Sequence, residues 1–566
     1  MSKAIIECVP NFSEGRDMHI IKQITDEIER IDRVRLLDVD PGKATNRTVV
    51  TFVGTPEQVI EAAFQAIKKA AELIDMSKHQ GEHPRMGATD VCPLIPISGI
   101  SMEETVEYAK QLGARVGLEL GIPVYLYESA ATKPERKNLA TIRAGEYEGL
   151  SNKMTLPDWH PDYGPNVFNS RSGASVIGAR DFLVAYNVNL NTTSTRRANS
   201  VAFDVREAGR VKRTGDPILG AIERDEQGNP LHIPGSLKSV KAIGWFIEEY
   251  GIAQISMNLT NINITPLHIA FDEVCKKAEK RGLRVTGSEL VGLVPLKCLT
   301  DAGKYFLEKQ KRSAGVSEEE LIRIAVKSLG LDELSPFDPN KKIIEYILRD
   351  LKDTKLIQMS LRAFANETAS ESPAPGGGSI SAYLGSLGAS LATMVANLSS
   401  HKKGWDARWQ YFSSIAEKGQ QLKDELLKLV DEDTRAFNQI MKAYALPKSN
   451  DEEKLIRTEA IQQATIYATE VPIRTMRTAY LCFEVVEAMA QQGNPNSISD
   501  AGVGALCIRS AILGAYLNVC INASGIKEER IKGRYLNEAV AIRAEAVRLE
   551  SQIIQFVEKQ IAGNNA

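Results

Sequence analysis

Short apolar runs alternate with segments of helical spacing along the first part of the chain. Residues 5–9 (IIECV) read as a strand, and residues 18–31 carry apolar side chains three and four apart, as a helix does. Residues 34–39 and 47–53 (RTVVTFV) read as strands on either side of a Pro-Gly turn. Residues 56–76 form an amphipathic helix with proline at its start. A strand at 91–97, a helix at 103–120 and a strand at 123–127 (PVYLY) follow. The order is βαββαβ with an added αβ. It recurs as a strand at 182–190, a helix at 194–208, strands at 242–247 and 254–259, a helix at 266–281 and a strand at 283–287.

Two tandem ferredoxin-like α/β sandwiches explain that repetition. Residues 151–178 between them are rich in Pro, Gly, Asn and Ser, which is loop chemistry. Residues 216–236 hold EQGNP between β-capable runs and read as a protruding hairpin. The pattern then changes. SPFDPNKK is linker-like, and beyond residue 361 long helical stretches dominate at 379–398, 409–441, 451–492, 501–523 and 536–560. The fold class is therefore α+β followed by an all-α helical bundle. The expected division is 1–180 and 181–330 for the two sandwiches, 331–357 for a connector and 358–566 for the bundle.

Composition narrows the class. The chain has 566 residues, too many for one core, with net charge -3 and no basic block, so nothing points to nucleic acid. Seven scattered cysteines without CxxC pairs read as free thiols in a reducing compartment. The opening MSKAIIECVPNF shows no secretory signal. The apolar run 505–523 contains Arg509, Asn518 and Asn522, so it reads as a bundle helix, not a membrane span. A cytoplasmic protein with no membrane partner is expected.

Several loops concentrate reactive side chains. GEHPRMGATDVCP, residues 81–93, sets Glu82, His83 and Arg85 together between a helix and a strand. Its ligand spacing does not suit zinc. A histidine beside acid and arginine suits a general base, while Pro84 and Gly87 suit a structural turn; spacing alone leaves both open. VPNFSEG follows the first strand, with Ser13 as either an anion-site residue or an N-cap. Asp40 closes the second strand, suited to orienting a histidine or to a turn. Gly376, Gly377, Gly378 and Ser379 open a helix of small residues without the lysine of a phosphate-binding loop. LVDED places Asp433 four residues before Phe437, near an apolar stripe, where a carboxyl can act as a buried proton donor or simply face solvent. GNPNSISD joins two helices, with Ser499 or Asp500 as the expected N-cap and with Asn494 and Asn496 beyond what a cap needs.

Taken together, these stretches resemble the bifunctional formimidoyltransferase-cyclodeaminase family of folate enzymes over nearly the whole chain. ECVPNFSEGRD, LLDVD, TNRTVVTFVG, GEHPRMGATDVCP, PVYLY and IRAGEYEGL resemble the transferase half. ELVGLVPLK and PFDPNKKIIEYIL resemble its end and the connector. PAPGGGS, LVDEDTRAF, ALPK and GNPNSISD resemble the cyclodeaminase half.

That resemblance implies two reactions of histidine breakdown. One transfers the formimino group of N-formimino-L-glutamate to tetrahydrofolate; the next closes 5-formiminotetrahydrofolate to 5,10-methenyltetrahydrofolate and releases ammonia. It implies His83 as the transferase catalytic residue and Asp433 as the cyclodeaminase acid. It also implies a folate loop made of Gly164, Pro165, Asn166, Val167, Phe168, Asn169, Ser170, Arg171, Ser172 and Gly173. Arg171 and Ser172 depart from the family's pattern, and the 216–236 loop is longer than in the vertebrate type. Asp40, Glu82 and Arg85 are expected to support the transferase site, Asp40 by holding His83 or substrate and Arg85 by pairing the glutamate carboxylates. Gly376, Gly377, Gly378, Ser379, Asn494, Asn496, Ser497 and Asp500 are expected to line the cyclodeaminase pocket. Tetrahydrofolate is the co-substrate, no metal is expected, and a homo-oligomer handling polyglutamylated folate is implied. The alternatives are a helical domain acting as a methenyltetrahydrofolate cyclohydrolase, or as a non-catalytic folate-binding scaffold.

Overall fold

The computed structural model describes residues 4–43, 46–81, 84–215, 220–348 and 355–564. The chain divides into two compact units, one of Met1–Cys298 with Leu329–Leu348 and one of Leu299–Ser328 with Arg349–Ala566.

The first unit begins with strands β1 (Ile5–Cys8) and β2 (Asn11–Phe12), helix α1 (Met18–Glu29), β3 (Val34–Gly42), β4 (Arg47–Gly54), helix α2 (Pro56–Leu73), β5 (Thr89–Ser98), helix α3 (Met102–Leu120) and β6 (Val124–Glu128). Short helices α4 (Leu139–Arg143) and α5 (Glu146–Lys153) precede β7 (Ser175–Ala179). The sheet runs from β3 at one edge through β4, the short strands β1 and β2, β5 and β7 to β6. Its first four positions have the ferredoxin-like arrangement; β7 and β6 extend it by parallel pairing.

Both faces of the extension are covered, which explains why PVYLY shows no polar alternation. Val124 and Leu126 face the main core with Ile6, Phe52, Val59 and Leu112, while Tyr125 and Tyr127 face a second core with Ile142, Leu150 and Met154.

The second sandwich contains β8 (Val184–Leu190), helix α6 (Thr195–Val205), a two-stranded ribbon of β9 (Arg210–Val211) and β10 (His232–Ile233), β11 (Val240–Ile247), β12 (Ile252–Leu259), helix α7 (Leu267–Glu279) and β13 (Val285–Val291). Its strands pair antiparallel in the order β11-β12-β8-β13, again ferredoxin-like. The expected hairpin continues the β9–β10 ribbon, tied at its tip where Asp225 accepts from Gln227 and Asn229; residues 216–219 lie outside the described residues.

Helices α8 (Leu296–Lys309) and α9 (Glu318–Leu329) follow, then the short α10 (Pro339–Lys342) and α11 (Ile344–Ile347). Residues 299–328 cluster with the helical unit. There Gly315 packs on α14 (Trp409–Tyr444) so tightly that a Cβ at 315 would lie 2.3 Å from that of Ala416. The other bundle helices are α12 (Leu361–Thr368), α13 (Gly377–Ser400), α15 (Asp451–Gln492), α16 (Ile498–Ala523) and α17 (Glu529–Asn564). Small residues along α13, among them Gly385, Gly388, Ala389 and Ala392, let α14 and α16 approach closely. Helices α13 and α16 are both long and apolar enough to cross a membrane, but they pack against their neighbours in one core.

Candidate active sites

In the first unit, three loops meet around Gly87. Ser13 donates from its hydroxyl to the Gly87 carbonyl at 2.7 Å, and its backbone N–H donates to Ala88 at 2.9 Å. Ser13 is therefore not an N-cap; Asp17 caps α1. Gly87 in turn pairs with Gly173, the last residue of the 164–173 loop. A Cβ on Gly87 would stand 2.3 Å from the Ala174 carbonyl, so only glycine permits this approach.

Beneath these loops lies a buried polar frame. The Asp90 carboxylate accepts the Met86 N–H at 2.9 Å and pairs with Arg143. Arg85, 7% exposed, reaches Glu146 at 3.0 Å and Glu148 at 2.7 Å, and donates to His79 Nδ1 at 3.3 Å. The other ring nitrogen of His79 lies 2.8 Å from the Asn46 carbonyl, so it is the protonated one. Burial holds His79 below its ordinary pKa, and the ring is a neutral strut. Asn46, with a left-handed backbone, holds Gly15 N–H through Oδ1 and Gln80 carbonyl through Nδ2.

Glu82 and His83 lie outside the described residues. Their flanks border a cavity of about 400 Å³ lined by Gln80, Gly81, Arg85, Gly145, Glu146 and Glu148. Arg85 is occupied by the two glutamates. Asp40 is exposed on edge strand β3, opposite Val49. In the 164–173 loop, Gly164, Pro165, Asn166 and Val167 are exposed, whereas Ser172 and Gly173 are buried. Phe168 packs on Tyr147 with ring centroids 5.4 Å apart. Asn169 Oδ1 accepts the N–H groups of Arg171 and Ser172, and the Arg171 carbonyl accepts from Met76. Asn46, Glu146 and Glu148 escaped the sequence reading, and His79 entered it only as a neighbour at metal-ligand spacing. Positions 146 and 148 do stand in IRAGEYEGL, where closely spaced acids were the available signal.

The helical unit sorts the three acids of LVDED by surroundings. Asp431 accepts the backbone N–H groups of Leu356 and Ile357 at 2.8 and 3.4 Å, which fastens the segment entering the bundle. Glu432 bonds the Tyr467 hydroxyl and pairs with Arg474. Asp433 lies against the start of α13: its Oδ2 is 3.1 Å from the Ser379 hydroxyl oxygen, which also lies 2.8 Å from the Val430 carbonyl. Burial raises the Asp433 pKa, and hydrogen bonds from Ser379 only partly offset it. The carboxyl therefore keeps its proton to higher pH than a free aspartate does. Gly377 faces Asn518 of α16, whose Nδ2 lies 3.3 Å from where a Cβ would be. Asn518 was noticed in the sequence only as a polar break in an apolar helix.

The two halves of the expected pocket are not brought together within one chain. Asn494 bonds Ser399 and Lys402 at the far end of α13, roughly 30 Å from Gly378 at 1.5 Å rise per residue. Helix α16 starts at Ile498 after Ser497, so neither Ser499 nor Asp500 is its N-cap. Asn494 instead accepts the Asn496 N–H, Asn496 is exposed and Ser497 is buried.

Three family descriptions match in succession. "Formiminotransferase domain, N-terminal subdomain" covers residues 5–180, "Formiminotransferase domain" residues 185–349 and "Formiminotransferase-cyclodeaminase" residues 360–541. The chain is 44% identical over 559 residues to the formimidoyltransferase-cyclodeaminase of Gallus gallus, covering 99% of each. It is 44% identical over 307 residues to the glutamate formimidoyltransferase of Thermoplasma acidophilum, covering 54% of this chain and 93% of that one. It is also 36% identical over 202 residues to the methenyltetrahydrofolate cyclohydrolase of Methylorubrum extorquens, covering 36% of this chain and 97% of that one.

Proposed function

This chain belongs to the formiminotransferase-cyclodeaminase family, and from that membership we infer that it carries out two consecutive folate reactions of histidine degradation. It transfers the formimino group of N-formimino-L-glutamate to tetrahydrofolate, releasing glutamate. It then closes 5-formiminotetrahydrofolate to 5,10-methenyltetrahydrofolate and releases ammonia. The observation that carries this is the end-to-end match to a bifunctional relative.

His83 is the general base of the first step. The folate amine loses a proton as it attacks the formimino carbon, and an imidazole suits that transfer near neutral pH. The fit of Ser13, Gly87 and Gly173 supports this reading, since it holds the end of the 164–173 loop against Gly87, four positions along the chain from His83. Glu82 and Asp40 are assigned to support His83. Arg85, held by Glu146 and Glu148, positions the loop and borders the cavity where the substrate carboxylates are expected. Asp433 is the acid of the second step. Ammonia leaves poorly unless protonated, and a buried carboxyl of raised pKa supplies the proton.

The chain works as a homo-oligomer in the cytoplasm. Leu387, Met394 and Leu398 of α13 and Val503, Leu506, Leu517 and Ile521 of α16 are all more than a third exposed, a large apolar surface for a monomer. A second copy packed antiparallel on α13 would cover that surface and bring Asn494, Asn496, Ser497 and Asp500 of one copy toward Gly376–Ser379 of the other. All seven cysteines are free, and Cys8 and Cys92 remain thiols with sulfurs 3.4 Å apart, which fits a reducing compartment.

The test is to supply N-formimino-L-glutamate and tetrahydrofolate together. Glutamate and ammonia should appear in equal amounts. Glutamate without ammonia would limit the chain to transfer; hydrolysis of 5,10-methenyltetrahydrofolate in place of cyclisation would favour the cyclohydrolase reading suggested by the Methylorubrum relative.

A further inference from the structure

Helices α13 and α16 run antiparallel along a seam of small residues. Gly388 stands against the Gly504 carbonyl, Gly385 against Ala511, and Ser381 against Gly514. One turn further along each helix, the next pair in the seam is Gly377 and Asn518. Glycine or alanine closes the seam elsewhere; here the chain places an amide instead.

Asn518 is held there in one orientation. Its Nδ2 donates to the Gly514 carbonyl at 2.9 Å, and Ser381 donates to the Gly377 carbonyl at 2.7 Å, so each side chain ties its own helix where it meets the other. A carbonyl accepts only from a donor, so the bond to Gly514 tells nitrogen from oxygen in the amide. Nδ2 and Oδ1 lie 3.3 and 3.8 Å from where a Cβ on Gly377 would stand. Asn518 is half-buried, Gly377 is exposed, and Oδ1 takes no hydrogen bond from the described residues. Asp433 lies against the very next residue, Gly378. Neighbouring Cα atoms are about 3.8 Å apart, so the amide and the carboxyl stand over the same first turn of α13.

That pairing suits the departing nitrogen of the second reaction. N10 of the folate attacks the formimino carbon, and the C=N π pair moves onto the formimino nitrogen. Asp433 gives that nitrogen a proton and regains one from N10. The C–N bond then breaks with its pair on nitrogen, ammonia leaves, and the N5 lone pair completes the methenyl cation. The nitrogen carries N–H groups throughout and becomes a stronger donor as it is protonated, so an acceptor fixed beside Asp433 helps most at departure. We propose that Asn518 Oδ1 accepts a hydrogen bond from the formimino nitrogen, holding it toward Asp433 and selecting the formimino group over a formyl group, whose oxygen has no hydrogen to donate. The inference rests on the cyclodeaminase reading of Asp433 above and adds the residue that recognises the leaving group.

The test supplies 5-formiminotetrahydrofolate directly to the full-length protein, with 5-formyltetrahydrofolate as a competitive inhibitor. Asn518→Leu removes the acceptor at similar volume and should lower kcat/KM for cyclisation about tenfold or more, as loss of a hydrogen bond to a charged donor does. Asn518→Asp keeps an acceptor oxygen but cannot donate to Gly514, and should stay within about threefold of the wild type. The Ki of 5-formyltetrahydrofolate should be no higher in Asn518→Leu than in the wild type, which also shows that the site is intact. Equal losses in the two variants would make Asn518 only a tie to Gly514, and full activity in Asn518→Leu would remove it from the site; either overturns the inference and leaves the second reaction standing. A Ki that rises in step with the lost turnover would overturn the selection of formimino over formyl. A wild type that does not cyclise 5-formiminotetrahydrofolate would overturn the second reaction itself, and the inference with it.

Discussion

Gly378 and Asp433 are packed so closely that a Cβ at position 378 would lie 2.1 Å from Asp433 Oδ1. The absence of a side chain at the start of α13 is what lets the carboxyl reach Ser379. Gly378→Ala should therefore displace Asp433 and reduce cyclodeaminase turnover at least about tenfold, the scale expected when a proton donor is misplaced. Transferase turnover should be unchanged. Separate assays of the two half-reactions check this.

Burial raises the pKa of Asp433, so its proton is retained to higher pH than in the unfolded chain. Its contribution to stability is present below the unfolded pKa and is lost as pH rises through the folded one. Asp433→Asn should thus melt like the wild type in acid and above it at pH 8. In the wild type, cyclisation should fall on the alkaline side of that raised pKa while transfer does not share the decline. Thermal melts and half-reaction pH profiles measure both effects.

Glu7 offers a sharper case in the first unit. It is buried in β1, and burial lifts its pKa to about 7 against the opposing charge of Arg180. Ionising it at pH 8 costs on the order of 3 kcal/mol relative to the unfolded chain. Glu7→Gln should raise the melting temperature at pH 8 and change little near pH 4, where the group is protonated in both states. Paired melts at the two pH values decide it.

Arg143 neutralises a fully buried Asp90 beneath the 84–88 loop. Arg143→Ala removes the cation paired with that carboxylate, leaving the Arg47 charge nearby, and should cost about 3 kcal/mol of stability in the first unit. Urea denaturation reports it. Arg143→Lys should recover only part, since an ammonium lacks the forked geometry.

His83→Ala should abolish glutamate release from N-formimino-L-glutamate. The same variant should still cyclise 5-formiminotetrahydrofolate supplied directly. Retained transfer would make residues 81–93 a structural turn.

The elements of this chain were legible because their signals are local. Residues 409–441 and 451–492 read as helices from spacing alone, and the helices run Trp409–Tyr444 and Asp451–Gln492. The βαββαβ order fixed both sandwiches for the same reason. What the pattern did not reveal is non-local. Ser13 has the composition of a cap, yet its partner is Gly87, seventy-four residues away. His79 sits in a short link after a helix, and only folding sets it between Asn46 and Arg85. Residues 376–379 and 494–500 share a chemical character but lie at opposite ends of one helix, a distance no motif encodes.

The most direct test of two chemistries on one chain is a product analysis of Asp433→Asn given N-formimino-L-glutamate and tetrahydrofolate. Glutamate should be released at the wild-type rate while 5-formiminotetrahydrofolate accumulates and ammonia release stops. Ammonia release at the wild-type rate would contradict the assignment of the second reaction to the carboxyl held against Gly378.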